Sequence, residues 1–317
     1  GDRGDVAMVG YGAARYALAS GNCNEAEKLW PLIEWCLEYC HRQLNADGVV
    51  KSDSDELENR FPAGKANLCT SSLYYDALVS AAYLGKALKK EHKQIKSYQD
   101  RAAELYKNID AYFARNVEGY DTYRYYDGNT VLRSWICIPL TMGIYDQAKG
   151  TVEALFSDKL WMENGLLTQS GTSTYWDRST LYAFRGAYSC GARDIATEYL
   201  DKYSATRLLG DHVPYAVEAW PEGNQRHLST ESALYCRIMT EGLFGIRPIA
   251  LDAFMMTPQL PESWNTMSLK RICAFGSIFD IEVKRDKDDK LLVLIKKDHK
   301  IVKRSKITNG KPIEVRI

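Results

Sequence analysis

Up to about residue 245, apolar side chains recur at helical spacing. The pattern predicts nine helices: Val6 to Ser20, Asn24 to Leu44, Thr70 to Leu88, His92 to Arg115, Leu132 to Gly143, Gln147 to Phe156, Tyr175 to Cys190, Arg193 to Tyr203 and Ser229 to Phe244. The second shows the pattern well, with Leu29, Leu32, Ile33, Cys36, Leu37 and Cys40 recurring along one face. Thr70, Ser71 and Ser72 offer caps to the third. Odd and even helices differ in kind. The odd ones are rich in alanine, serine, glycine and aromatics, whereas the second, fourth and eighth carry charge on one side, as helices facing water do. An inner ring alternating with an outer ring is the expected result, a mostly α (α/α) toroid of stacked helical hairpins.

The connections alternate too. Odd-to-even turns are short, such as Gly21-Asn22 and Gly191-Ala192. Even-to-odd connections are long and polar: Ala46 to Cys69, Asn116 to Val131, Ser157 to Thr174 and Ser204 to Leu228. Each long one enters the N-terminus of an inner helix, so all should gather on one rim of the ring, where long loops usually carry function. After Phe244 the period changes to two. Phe279 to Lys284 and Leu291 to Lys296 alternate around Asp286-Lys287-Asp288-Asp289 and predict a hairpin. Asn309-Gly310 is a second hairpin signal, with Pro312 to Arg316 as an edge strand. The division expected is a helical toroid over 1–245 and a small antiparallel β-domain over 246–317.

Composition changes this picture little. The 317 residues, 45% hydrophobic and 26% charged, fit an ordinary globular chain with one large core and a smaller one. Lys plus Arg (41) equals Asp plus Glu (41), so no basic field argues for nucleic acid. No apolar run approaches the roughly 18 residues of a membrane span. The chain opens Gly1-Asp2-Arg3-Gly4-Asp5, without a leader or an initiator methionine, which leaves the compartment open. Six of the cysteines lie in apolar helical patterns, where a free buried thiol is the common case, and Cys36, Cys40 and His41 lack a second ligand pair for a metal. The 21 tyrosines and 7 tryptophans are the unusual feature, since aromatic faces stack on sugar rings as well as fill helical cores.

Three rim loops concentrate polar groups. Ser52 to Pro62 holds Asp53, Asp55, Glu56, Glu58 and Arg60. Sugar hydrolysis needs one carboxyl to protonate the leaving oxygen and another to activate water, and clustered carboxylates raise one another's proton affinity. A solvated acidic loop, or a calcium site on Asp53 and Asp55, is the competing reading. Val217 to Leu228 places Glu218 and Glu222 about Trp220, with Arg226 and His227 following, and Glu231 in the next helix. Glu218 precedes that helix, so capping does not account for it; for Glu231 capping competes with chemistry. Trp176, Asp177 and Arg178 again pair an aromatic with charge, Asp177 being a candidate cap as well.

Gly4-Asp5-Val6-Ala7, Ala14 to Leu18, Trp30 to Trp35, and Val217-Glu218-Ala219-Trp220 followed by Asn224 to His227 resemble segments of the α-L-rhamnosidase-type glycosidases of the six-hairpin superfamily. The resemblance runs over most of residues 1–245. It implies an inverting exo-glycosidase with Glu218 as general base, Asp5 as a pocket carboxylate and His227 as a sugar contact. It implies no cofactor, a carbohydrate substrate, and relatives that are periplasmic or secreted. In that family the general acid is a glutamate shortly before the Gly-Asp pair, a place upstream of Gly1, and a six-hairpin ring has twelve helices. Missing helices and the acid are thus expected from an upstream segment, or else Glu56 or Glu58 supplies the acid. Asp55, Arg60, Trp176, Asp177, Arg178, Trp220, Glu222 and Glu231 complete the expected substrate-binding set. Two alternatives stay open: a polysaccharide lyase or unsaturated-uronyl hydrolase using His227, Arg226 and Tyr215 in an arginine-lined cleft, and a non-catalytic glycan-binding fragment.

Overall fold

The computed structural model describes residues 4–52, 54–55, 61–207, 209, 219–220 and 229–317. Its helices are α1 (Asp5–Ser20), α2 (Cys23–Arg42), α3 (Leu68–Ala87), α4 (His92–Phe113), α5 (Ile138–Met142), α6 (Ala148–Leu155), α7 (Asp177–Ser189), α8 (Arg193–Arg207) and α9 (Ser229–Arg237). Each lies where the apolar period places one. The fifth begins as a 3₁₀ turn over Ser134–Cys137, and the ninth continues as a π-helical turn over Ile238–Leu243.

Inner and outer helices are visible in what they bury. α3 buries Leu68 to Tyr74 without a break and most of its remaining length, so it is enclosed on nearly every side. α4 buries only Tyr98, Ala102, Leu105, Ile109 and Phe113, the single stripe of a helix whose other side meets water. Successive inner helices pack on one another, α1 on α3, α3 on α5, α5 on α7, and α7 on α9 and its π turn. This is the helical-hairpin toroid that the period predicts.

The strands within the helical part are short. β1 (Ala114–Val117) and β2 (Tyr120–Tyr123) form a hairpin, as do β3 (Trp161–Met162) and β4 (Gly165–Leu166). β5 (Tyr175–Trp176) pairs with β6 (Ala219–Trp220). Beyond the helices, β7 (Arg247–Ala250), β8 (Ala253–Met256), β9 (Thr266–Ala274), β10 (Ser277–Arg285), β11 (Leu291–Lys297), β12 (Lys300–Ile307) and β13 (Ile313–Arg316) build two antiparallel sheets, ordered β12-β11-β10-β9 and β13-β8-β7. The expected β10–β11 hairpin turns through Asp286 to Asp289, with Asp286 N–H donating to the Lys290 carbonyl.

The Asn309-Gly310 signal needs correction. β12 and β13 do not pair with each other; β13 crosses to β8 at the edge of the other sheet. The turn forms, but Asn309 spends its amide on Leu260, accepting from its N–H at 3.1 Å and donating to its carbonyl at 2.7 Å. A turn residue drawn to a third segment joins two sheets in place of closing a hairpin.

The β-sheets are docked on the helices. Phe275 and Gly276 N–H donate to the Ala19 and Ser20 carbonyls at 2.6 and 3.2 Å, satisfying the open end of α1. Gly21 allows the approach: at φ 69° a Cβ there would lie 2.2 Å from the Gly276 nitrogen. One hydrophobic cluster runs from Ala7 through the helices to Val315.

A charged knot lies inside the ring of helices. Arg15 donates to Asp76 through Nε at 2.9 Å and Nη2 at 3.1 Å, and to Glu241 at 2.8 Å. Arg247 reaches the same Asp76, Arg237 grips Glu241 at 2.5 Å, and the Tyr11 hydroxyl accepts from Arg237 and from Arg185. Burial pushes the Asp76 and Glu241 carboxyls up, but the guanidiniums (Arg15 and Arg247 for Asp76; Arg237, Arg185 and Arg15 for Glu241) outweigh it and hold both below their ordinary values. A carboxyl depressed in the folded state adds stability above its unfolded value, lost as pH falls through the folded one. Unfolding free energy should therefore drop as pH falls below about 4. Asp76→Asn should cost about 3–5 kcal/mol at neutral pH and flatten that acid limb. Urea titrations across this range check both, and parallel acid limbs in the two proteins would refute the assignment.

Candidate active site

The rim where long loops enter the inner helices is knitted by backbone. Isolated bridges join Leu44 to Val50, Lys51 to Ala66, Asn67 to Tyr126, Arg133 to Gln169 and Leu167 to Tyr175, and β5–β6 carries the series on to Trp220. At its start Gly4, with φ 83°, abuts α3 so closely that a Cβ would stand 2.6 Å from Thr70 Oγ1. That contact fixes the start of α1 and puts Asp5 in its first turn, exposed to solvent.

The loop before α3 folds inward. Asp55 is 1% exposed and accepts from the Tyr125 hydroxyl at 2.9 Å. Asn67 caps α3 by accepting from Thr70 N–H at 2.8 Å, while its amide donates to the Ser54 carbonyl. Arg133, fully buried, stacks between Phe61 and Tyr125 with its guanidinium carbon 4.9 and 5.0 Å from the ring centres. It donates to the Pro62 carbonyl at 3.1 Å, holding the same loop. Glu118 joins two further loops, accepting from Leu132 N–H at 2.7 Å, Lys159 at 3.2 Å and Ser170 at 3.3 Å. Burial raises its carboxyl, and these donors bring it below the usual range.

The α7 corner is also closed. Trp176 is 2% exposed, and Arg178 lies over its ring at 5.5 Å. Arg178 donates to Glu231 at 2.8 Å, the carboxylate being fully buried. Asp177 forms a buried ion pair with Arg207 at 3.1 Å.

Among the expected site carboxylates that the structure describes, then, Asp5 alone is exposed. Asp55, Asp177 and Glu231 are set into the wall of the ring, because each has a cation or hydroxyl brought to it from a distant segment. Their sequence surroundings suggest a wet polar loop or a helix cap. The Asp177 carboxylate accepts from Arg207, 30 residues further along the chain. Glu56, Glu58, Arg60, Glu218, Glu222 and His227 lie outside the described residues, as does the Trp220 side chain. The reading of the sequence overlooked Arg133, Tyr125 and Glu118. The available signal for Arg133 was one charge beside the apolar Val131-Leu132 and Trp135-Ile136.

No protein-family model and no curated protein sequence matches the chain. Solved structures do. One described as a sialidase superposes with a TM-score of 0.73 over 96% of this chain and 32% of its own, at 14% identity. The GH78 family rhamnosidase of Bacillus sp. GL1 gives 0.57 over 89% of this chain and 29% of its own, at 13% identity. The α-L-rhamnosidase from Dictyoglumus thermophilum gives 0.53 over 94% and 37%, also at 13%.

The chain shares the helical-toroid fold of these structures. It spans 32%, 29% and 37% of the lengths of these three structures. Within this fold, the Arg178–Glu231 contact ties α7 to α9 at the rim. Arg178→Ala leaves a buried carboxylate without its cation and should destabilise the protein by about 3–5 kcal/mol. Arg178→Ala/Glu231→Leu should recover more than half of that loss. Denaturant midpoints measure it, and an unchanged midpoint for the single variant would refute the role given to the pair.

Proposed function

We propose that this chain is the helical catalytic part of an inverting, exo-acting glycoside hydrolase of the α-L-rhamnosidase type. One observation carries the reading: at 96% coverage of this chain, its fold is that of a structure described as a sialidase, and rhamnosidase structures share it. The rim supports it, since the long loops converge at one end with the exposed Asp5 beside them.

Glu218 acts as general base, drawing a proton from the water that attacks the anomeric carbon. A second carboxyl protonates the leaving oxygen; Glu56 or Glu58 takes this part where no upstream residue does. In an inverting pair the two stand about 6.5–9.5 Å apart, which leaves room for water. Asp5 and His227 hold sugar hydroxyls, and Trp220 offers a ring face. Arg60 and Glu222 contribute further polar contacts. Trp176, Asp177, Arg178, Asp55 and Glu231 serve this site from behind, keeping its loops in place.

Incubation with a panel of aryl α-L-rhamnosides and related glycosides tests the proposal, with proton NMR reporting the anomer first released. Inverted product is expected. Glu218→Gln should lower kcat by about 10²–10⁴-fold with KM little changed. Retained configuration, or full activity in that variant, would overturn the mechanism. Binding without turnover would leave the glycan-binding alternative in its place.

A further inference from the structure

At the opposite end of the ring, beneath the C-termini of α5 and α7, a cavity of about 610 Å³ opens between the helices and the β-sheets. Gly143, the C-terminal cap of α5, and Ser189 to Gly191, which end α7, form part of its wall. Five cations line it: Arg15, Arg185, Arg193, Arg247 and Lys311. Glu241 is the sole carboxylate among its lining residues. Such a wall differs from the rim in both place and charge.

The local charges do not balance. Behind the cavity wall stand Arg237 and Asp76, and Asp194 lies 3.8 Å from Arg193. Among the described residues this makes six cations against three carboxylates. Arginine keeps its proton in proteins, so such an excess cannot be relieved by titration of the guanidiniums. Burial raises the Tyr11 hydroxyl, and Arg185, Arg237 and Arg15 outweigh it and bring it below its ordinary value.

Hydrogen-bonding capacity is also left over. The Arg185 side chain is 2% exposed, yet its Nη1 has no hydrogen-bond partner among the described residues and stands 3.4 Å from Glu241. Arg193 Nε is likewise without one. Lys311 is exposed and takes no ion pair among the described residues. A buried polar group without a partner is costly, and buried charge calls for a counter-charge. Forked guanidiniums with a lysine beside them suit the oxygens of a phosphate, which carries two negative charges.

We infer that this cavity binds the phosphate group of a small phosphorylated metabolite between the helical ring and the β-sheets. Its volume admits a ligand of about monosaccharide size beyond the phosphate. Arg15, Arg185 and Arg247 form the inner wall and are already fixed by Asp76 and Glu241. Arg193 and Lys311 close on the ligand from the outer side. The inference does not depend on the glycosidase reading, because no rim residue takes part in it.

Inorganic phosphate is the probe. Calorimetric titration of the chain should give saturable binding, and phosphate should raise Tm above the value in chloride of equal ionic strength. Lys311→Gln/Arg193→Gln removes two cations that make no strong internal contact, so circular dichroism should be unchanged while phosphate binding weakens at least about tenfold. Succinate at the same ionic strength should give a smaller rise in Tm than phosphate. Equal effects of phosphate and chloride, equal effects of phosphate and succinate, or wild-type affinity in the double variant would each overturn the inference.

Discussion

The ion pair between Arg15 and Asp76 is the constraint on which the inner ring depends. Both side chains sit on helices whose other buried positions are mainly small, apolar or aromatic. Neither charge could stay there alone, since an isolated buried ion is far more costly than a buried methyl group. Asp76 answers Arg15 from α1 and Arg247 from the first strand after the helices, while Glu241 answers Arg15, Arg185 and Arg237. Helices far apart in sequence are thus tied at one place, and the register of each against the others follows. Apolar packing alone would tolerate sliding by a turn; a two-point contact between guanidinium and carboxylate does not.

The same knot divides the molecule functionally. On one side are the loop entrances, where Asp5 is exposed and Asp55, Asp177 and Glu231 have partners in the wall. On the other lies the arginine-lined cavity. An arginine-lined cleft is what a lyase acting on uronates would use, but this one opens at the ends of the inner helices away from the loops. His227, Arg226 and Tyr215, which that reading names, lie outside the described residues.

Helix existence and the inner-outer alternation were legible because burial repeats locally, every three or four residues, and small residues mark helices packed on both sides. The loops' convergence on one rim followed from their lengths. What stayed illegible was long-range. Arg207 and Asp177 are 30 residues apart, Arg178 and Glu231 are 53 apart, and Arg15 and Glu241 are 226 apart, so no window of sequence contains both partners. The β1–β2 hairpin was hidden inside a segment read partly as helix and partly as loop, since four-residue strands barely establish a period. Asn309-Gly310 announced a turn correctly but could not say which strands it joined. For the candidate site, residue type suggested chemistry at Asp177 and Glu231, whereas their burial and partners are facts of the assembled fold.

The bridges that knit the rim have a bearing on how this protein can vary. Each is a contact between main chains, made by amides and carbonyls that every residue except proline supplies. Substitution at Gln169, Tyr126 or Lys51 would change what the loop displays without removing the bond that holds it. The architecture thus separates inheritance of shape from inheritance of surface: a lineage can rewrite the side chains around the opening while its outline persists. A shared fold at 14% identity is what such a division permits.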